Sequence, residues 1–185
     1  IAGGDKDAAA ALVPTLQAKD PNLAVIAQSM LLLADDKDQD ALTLLDKQLA
    51  QAPTHSRLLG QKASILASSE QYVKAVELYQ LAAQHAETAS SKYNYLYQIG
   101  RLSVKNQLDP VVGQAALQQF IQYYDGSEHQ QLPWAKLRLA QLFLQQNDKT
   151  NAEQWLAGAR ATAKDDVKFD DEAKKVEKQL KKLKS

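Results

Sequence analysis

An all-α architecture of antiparallel helix pairs is what this sequence predicts, and three observations predict it. Apolar residues recur at helical spacing along most of the chain. Glycine (7) and proline (5) are few, and β-branched residues are sparse beside Ala, Leu and Gln, a composition that favours helix. The apolar stripes are also narrow and interrupted by short polar breaks. A helix with so narrow a stripe cannot make a core alone and must bury that face on a neighbour.

The stretch from His55 to Glu87 displays the unit most clearly. Leu59, Ala63 and Leu66 fall at steps of four and three, and Ser68, Ser69 and Glu70 break the pattern. Tyr72, Ala75, Val76, Tyr79, Ala82 and Ala83 then form a second stripe. Ala63, Ala75 and Ala82 have no bulk beyond Cβ, so two helix backbones can approach closely there, with the larger residues packed around them.

These residues resemble the tetratricopeptide repeat (TPR), a helix–turn–helix unit of about 34 residues. The family's pattern places bulky, small and bulky residues along the first helix. Alanine, an aromatic and a small residue follow along the second, with a closing proline. Leu59, Ala63, Leu66, Ala75, Tyr79 and Ala82 fit it, and Glu87 replaces the proline. Val25, Ser29, Leu32, Ala41, Leu45 and Pro53 fit it again, with Gln48 departing at the second small position. Ala41 and Ala75 stand 34 residues apart. The resemblance implies a right-handed α-solenoid.

Taken in order, residues 1–19 are expected to form a flexible lead-in and an N-terminal helix that Pro14 kinks or shortens. Residues 20–164 are expected to hold about four helix pairs. Asp20–Pro21 and Asp109–Pro110 are start signals, a side-chain acceptor followed by a residue suited to the first helical position. Ser90–Ser91 reads as a third cap, opening a helix with Leu96, Ile99 and Gly100. Its partner carries Ala116, Phe120 and Tyr123. Ala75 to Ala116 is 41 residues, so this pair should have longer helices or turns. Asp125–Gly126 ends it. Pro133 opens the last pair, with Leu139, Ala140, Phe143, Ala152, Leu156 and Ala159 matching and Lys136 departing. In residues 165–185, Phe169, Ala173, Val176, Leu180 and Leu183 form one stripe opposite a polar face. Such a helix suits the end of a repeat array, which otherwise exposes its last apolar face.

The chemistry is mostly negative. Lys plus Arg equal Asp plus Glu at 22 each, so no global field recruits nucleic acid or an anionic membrane. The chain has no cysteine, which excludes disulfides and thiolate chemistry and is compatible with export to a periplasm in slight preference to a cytoplasmic location. No apolar run approaches the roughly 20 residues of a spanning helix, and a soluble protein is expected. The start at Ile1 suggests a processed or excised piece. His55, His85 and His129 are scattered, without metal-ligand spacing. The paired acids Asp35–Asp36 and Asp165–Asp166 sit beside helix starts, where capping explains them. No nucleophile, phosphate-loop or dinucleotide motif occurs. No enzyme, metal or cofactor is expected, and the terminal lysines read as a solvated face in preference to a phosphate contact.

In the resembled family the first helix of each pair lines a concave groove. Carried over by position, the groove residues would be Arg57, Gly60, Ser64 and Ala67, then Asn94, Tyr97, Arg101 and Val104, then Trp134, Leu137, Gln141 and Leu144. Arg57, Ser64, Asn94, Tyr97, Arg101, Trp134 and Gln141 are the expected partner contacts, because Tyr, Trp and Arg concentrate binding energy at interfaces. Tyr97 and Trp134 have an alternative reading as packing residues between repeats. Members that grip a chaperone's C-terminal carboxylate use Lys and Asn at these positions. Ile26, Gly60, Tyr97 and Leu137 lack that clamp. The expected function is therefore a non-enzymatic scaffold binding a peptide or protein segment, with acidic groups a natural complement to Arg57 and Arg101. The alternatives are a self-associating structural subunit and the interaction module of a larger enzyme.

Overall fold

A computed structural model describes residues 6–183, and among them the chain forms ten α-helices and no strand. The expected lead-in falls partly on residues 1–5, which lie outside the described residues. The chain divides into two compact units, one ending at Glu87 and the other beginning at Thr88.

The first unit contains α1 (Lys6–Lys19), α2 (Pro21–Leu33), α3 (Asp38–Leu49), α4 (Ser56–Ser68) and α5 (Tyr72–Gln84). Helix α1 runs through Pro14 without ending there. Asp20 caps α2, its Oδ1 accepting from the Leu23 amide at 2.9 Å, and His55 caps α4 through Nδ1 on the Leu58 amide. Helix α2 packs on α3 and α4 on α5, with Val25, Ala41, Leu45, Leu58 and Ile65 in one core cluster. The expected close seam is present: Ala63, Ala75 and Ala82 are fully buried. Beside it the Ser56 hydroxyl donates to the Ala82 carbonyl at 2.8 Å, joining α4 to α5. Replacing Ala75 by Leu should therefore cost about 1–3 kcal/mol through overpacking. Lys178→Ala, at an exposed helical position, should shift a urea melting midpoint very little. Equal shifts at the two sites would contradict the seam.

The second unit contains α6 (Ala89–Asn106), α7 (Pro110–Tyr124), α8 (Leu132–Gln145), α9 (Lys149–Thr162) and α10 (Val167–Leu180). Thr88, not Ser90–Ser91, caps α6: its hydroxyl accepts from the Ser91 amide at 3.2 Å, and the serines fall inside the first turn. The long spacing of this pair is taken up by helix length. Helices α6 and α7 have 18 and 15 residues, whereas α4 and α5 have 13 each. Asp36, Glu70, Gln107 and Asn147 take positive φ, and each lies in the turn between the two helices of a pair. None is a glycine, so this recurring turn leaves little trace in composition.

Helices α6 and α7 pair, as do α8 and α9, and α8 also packs on α6. Helix α10 packs on both α8 and α9 through Phe169, Ala173, Val176 and Leu180. Helix α8 thus has α6 on one side and α10 on the other. Its buried residues divide between two clusters. Leu139 and Leu142 join Leu117, Phe120 and Ile121, while Leu137 and Ala140 join the residues of α10.

Candidate functional site

The side chains that meet on the α6–α8–α10 side of the second unit form the candidate site. Tyr97 on α6 is 6% exposed, and its ring lies against Phe120 with centroids 5.2 Å apart. Its hydroxyl accepts a hydrogen bond from Arg138 on α8. The Arg138 guanidinium lies 4.8 Å from the Tyr97 ring centroid and 5.3 Å from that of Trp134, so one cation contacts two aromatic rings. Trp134 is half-buried. Its edge meets Phe169 at 5.5 Å, and its indole N–H donates to Asp166 Oδ2 at 3.2 Å. Gln141, two turns or so along α8 from Trp134, donates to Glu172 Oε1 at 2.8 Å, and Lys175 donates to the other oxygen.

Electrostatically, the site is rich in cations. Burial pushes the Tyr97 phenol upward, against the pull of Arg138. Burial likewise pushes the Arg138 guanidinium downward, with Arg101 adding to that effect and Tyr97 and Glu172 opposing it. Among the described residues neither Arg101 nor Arg138 forms an ion pair with a carboxylate. Arg101 donates through Nε to Gln98. Below them, toward the C-terminal ends of α6 and α8, lies a hollow of about 540 Å³. Val104, Leu144 and Val176 supply its apolar surface, and Lys105, Lys175 and Lys182 supply cations.

The structure brings Tyr97, Trp134 and Gln141 onto neighbouring helices, with Arg101 on α6 beside Arg138. Asn94 stands exposed near the start of α6. Arg57 and Ser64 are exposed on α4 of the first unit. Leu137, which the repeat spacing aims at the groove, is wholly buried, and Arg138 beside it is the residue between the two rings. Tyr97 belongs to the core cluster of its unit, so the packing reading of that residue is correct for its ring. Arg138 was not among the expected contacts; its spacing of four from Trp134 on α8 was the available signal, while Tyr97 reaches it from α6.

Among the described residues no group of three or more His, Asp or Glu side chains is placed to hold a metal ion. His55 and His129 are acceptors in local backbone hydrogen bonds, and His129 also lies against Tyr124 with centroids 3.9 Å apart. No helix among the described residues is long and apolar enough to cross a membrane.

Fold and spacing define a TPR-type helical-repeat protein, a class that serves in general as a protein-interaction module. The family model of the ChAPs (Chs5p-Arf1p-binding proteins) matches residues 3–107, and the chain belongs to that family. No curated protein sequence matches the chain. The structure is similar to that of PilF from Pseudomonas aeruginosa, with a TM-score of 0.69 at 16% identity over 97% of this chain and 85% of that one. It is similar to a putative kinesin light chain of nearly identical TPR-like repeats from Podospora anserina. There the TM-score is 0.63 at 19% identity, over 85% and 84% of the two chains. YrrB, a TPR protein described as having an unusual peptide-binding site, gives 0.62 at 13% identity over 90% and 92%.

Proposed function

We propose that this chain is a non-enzymatic interaction module that holds a peptide or protein segment on the α6–α8–α10 face of its second unit. The observation that carries this reading is Arg138, held against Tyr97 and Trp134 with no direct ion pair to a carboxylate among the described residues. A guanidinium immobilised in that way keeps its planar donor fork and has already lost most of its rotamer freedom, so an incoming acceptor orders little that is not already ordered. Asn94, Arg101 and Gln141 are the surrounding contacts. Arg57 and Ser64, exposed on α4, are proposed contacts of the first unit. A protein partner accords with the family's name, which describes its members as binding Chs5p and Arf1p. The lack of cysteine accords with an exported location.

Selection of phage-displayed random peptides on the full chain tests the reading. Binding of the selected peptides is then measured against Arg101→Ala, Trp134→Ala and a control, Lys74→Ala on α5. Loss of a central anchor commonly costs about 2 kcal/mol or more, roughly thirtyfold in affinity. The control should bind like the parent, and circular dichroism should confirm that each variant folds. Peptides that bind both folded groove variants as tightly as the control would move the contact to another surface.

A further inference from the structure

We propose that the groove of the second unit reads two features of its partner together: an acidic side chain at Arg138 and Arg101, and a bulky apolar side chain in the hollow below. The inference rests on the groove reading above and adds the partner's chemistry and spacing. Four cations on this face, Arg101, Arg138, Lys105 and Lys182, have no ion-pair partner among the described residues. The carboxylate that lines the hollow, Glu172, is already engaged by Gln141 and Lys175. A partly desolvated guanidinium whose nearby carboxylate, Glu172, makes no direct ion pair with it is incompletely compensated, and a carboxylate that reaches it makes charge-assisted, bidentate hydrogen bonds. A cationic side chain finds no vacancy there, since Arg138 already lies against both rings.

The spacing follows from α8 itself. Arg138 and Leu144 are separated by six residues, or about 9 Å at a rise of about 1.5 Å per residue. An extended peptide rises about 3.3 Å per residue and its successive side chains point to opposite faces, so an acid and an apolar residue that enter one groove together should stand an even number of positions apart, two being nearest to that separation. Val104, Leu144 and Val176 give the hollow an apolar lining that an aliphatic side chain can fill. A single-stranded nucleic acid also seeks cations and aromatic rings, but it needs a free ring face for stacking. Here Tyr97 packs on Phe120 and Arg138, and Trp134 on Phe169 and Arg138.

Fluorescein-labelled ten-residue peptides of Gly and Ser, carrying Glu and Leu two positions apart, provide the probe, read by fluorescence anisotropy on the full chain. Matched peptides replace Glu by Gln or Lys, or Leu by Ser. The Glu–Leu peptide should bind, and either replacement should weaken it by about tenfold or more. Arg101→Gln and Arg138→Lys should each cause a similar loss, the latter keeping the charge but not the fork. If the Gln or Lys peptide binds as well as the Glu peptide, the acidic requirement is wrong. If the probe fails while phage-selected peptides without an acid lose binding on Trp134→Ala, the groove stands and this inference falls. If no selected peptide responds to Arg101→Ala or Trp134→Ala, the groove reading falls with it. Displacement of the probe by a twenty-residue oligothymidylate at low micromolar concentration would overturn the assignment of a peptide partner.

Discussion

Replacing Phe169 by alanine is expected to destabilise the second unit by about 3–5 kcal/mol, the range for deleting a fully buried aromatic ring. Phe169 is 1% exposed and sits at the start of α10, against the edge of Trp134 and among Leu137, Ala140 and Ala159. The ring is thus a main attachment of α10 to α8 and α9. Urea unfolding followed at 222 nm should show a lower midpoint, or a separate early transition if α10 detaches first. A loss of no more than that of an ordinary surface substitution, about 0.5 kcal/mol, would mean that α10 is held by other contacts.

Two helical glycines are expected to respond to alanine with opposite signs. A Cβ on Gly100 would lie 2.2 Å from Leu117 Cγ, with both Cδ atoms within 2.7 Å. Leu117 is wholly buried, so the clash cannot be relieved by swinging its tip into water. Alanine gains about 1 kcal/mol over glycine in helix propensity, but overpacking of about 1–3 kcal/mol opposes it and should win. A Cβ on Gly158 in α9 would meet only Lys136 Cδ, at 3.9 Å. Gly158→Ala should therefore stabilise by about 0.4–1 kcal/mol, mainly by restricting the unfolded chain. Thermal melts of the two variants should move in opposite directions. A common direction would contradict the close approach of α6 to α7.

Local features of this protein were readable in one dimension because their physics is local. Asp20 and Asp109 are followed by proline at helix starts, and both accept from amides two or three residues on. Ala63, Ala75 and Ala82 marked the seam because only small residues permit so close an approach. The α6 cap was misplaced because Thr88, Ser90 and Ser91 are all competent acceptors, and the choice among them depends on where the chain leaves α5. Gln107 adopts a left-handed conformation that glutamine does not advertise. At the candidate site, Tyr97 and Trp134 were identifiable by residue type and helical position. Arg138 was not, because only the Trp134 ring lies one turn back on its own helix, while the Tyr97 ring that completes its setting comes from α6. A register rule pointed at Leu137, one residue away, and a 100° step on a helix separates a core residue from a groove residue.

Asp166 gives the fold an economy that joins folding to recognition. Its Oδ1 accepts from the amides of Lys168 and Phe169, closing the first turn of α10, while its Oδ2 holds the Trp134 indole. Both tasks require one rotamer of one carboxylate. Fraying of the first turn releases the indole, and rotation of the indole away removes a restraint on that turn. The orientation of Trp134 and the order of the last helix are therefore thermodynamically linked. A ligand that selects the fixed indole must, by reciprocity, protect the amides of Lys168 and Phe169 from solvent exchange, although it touches neither.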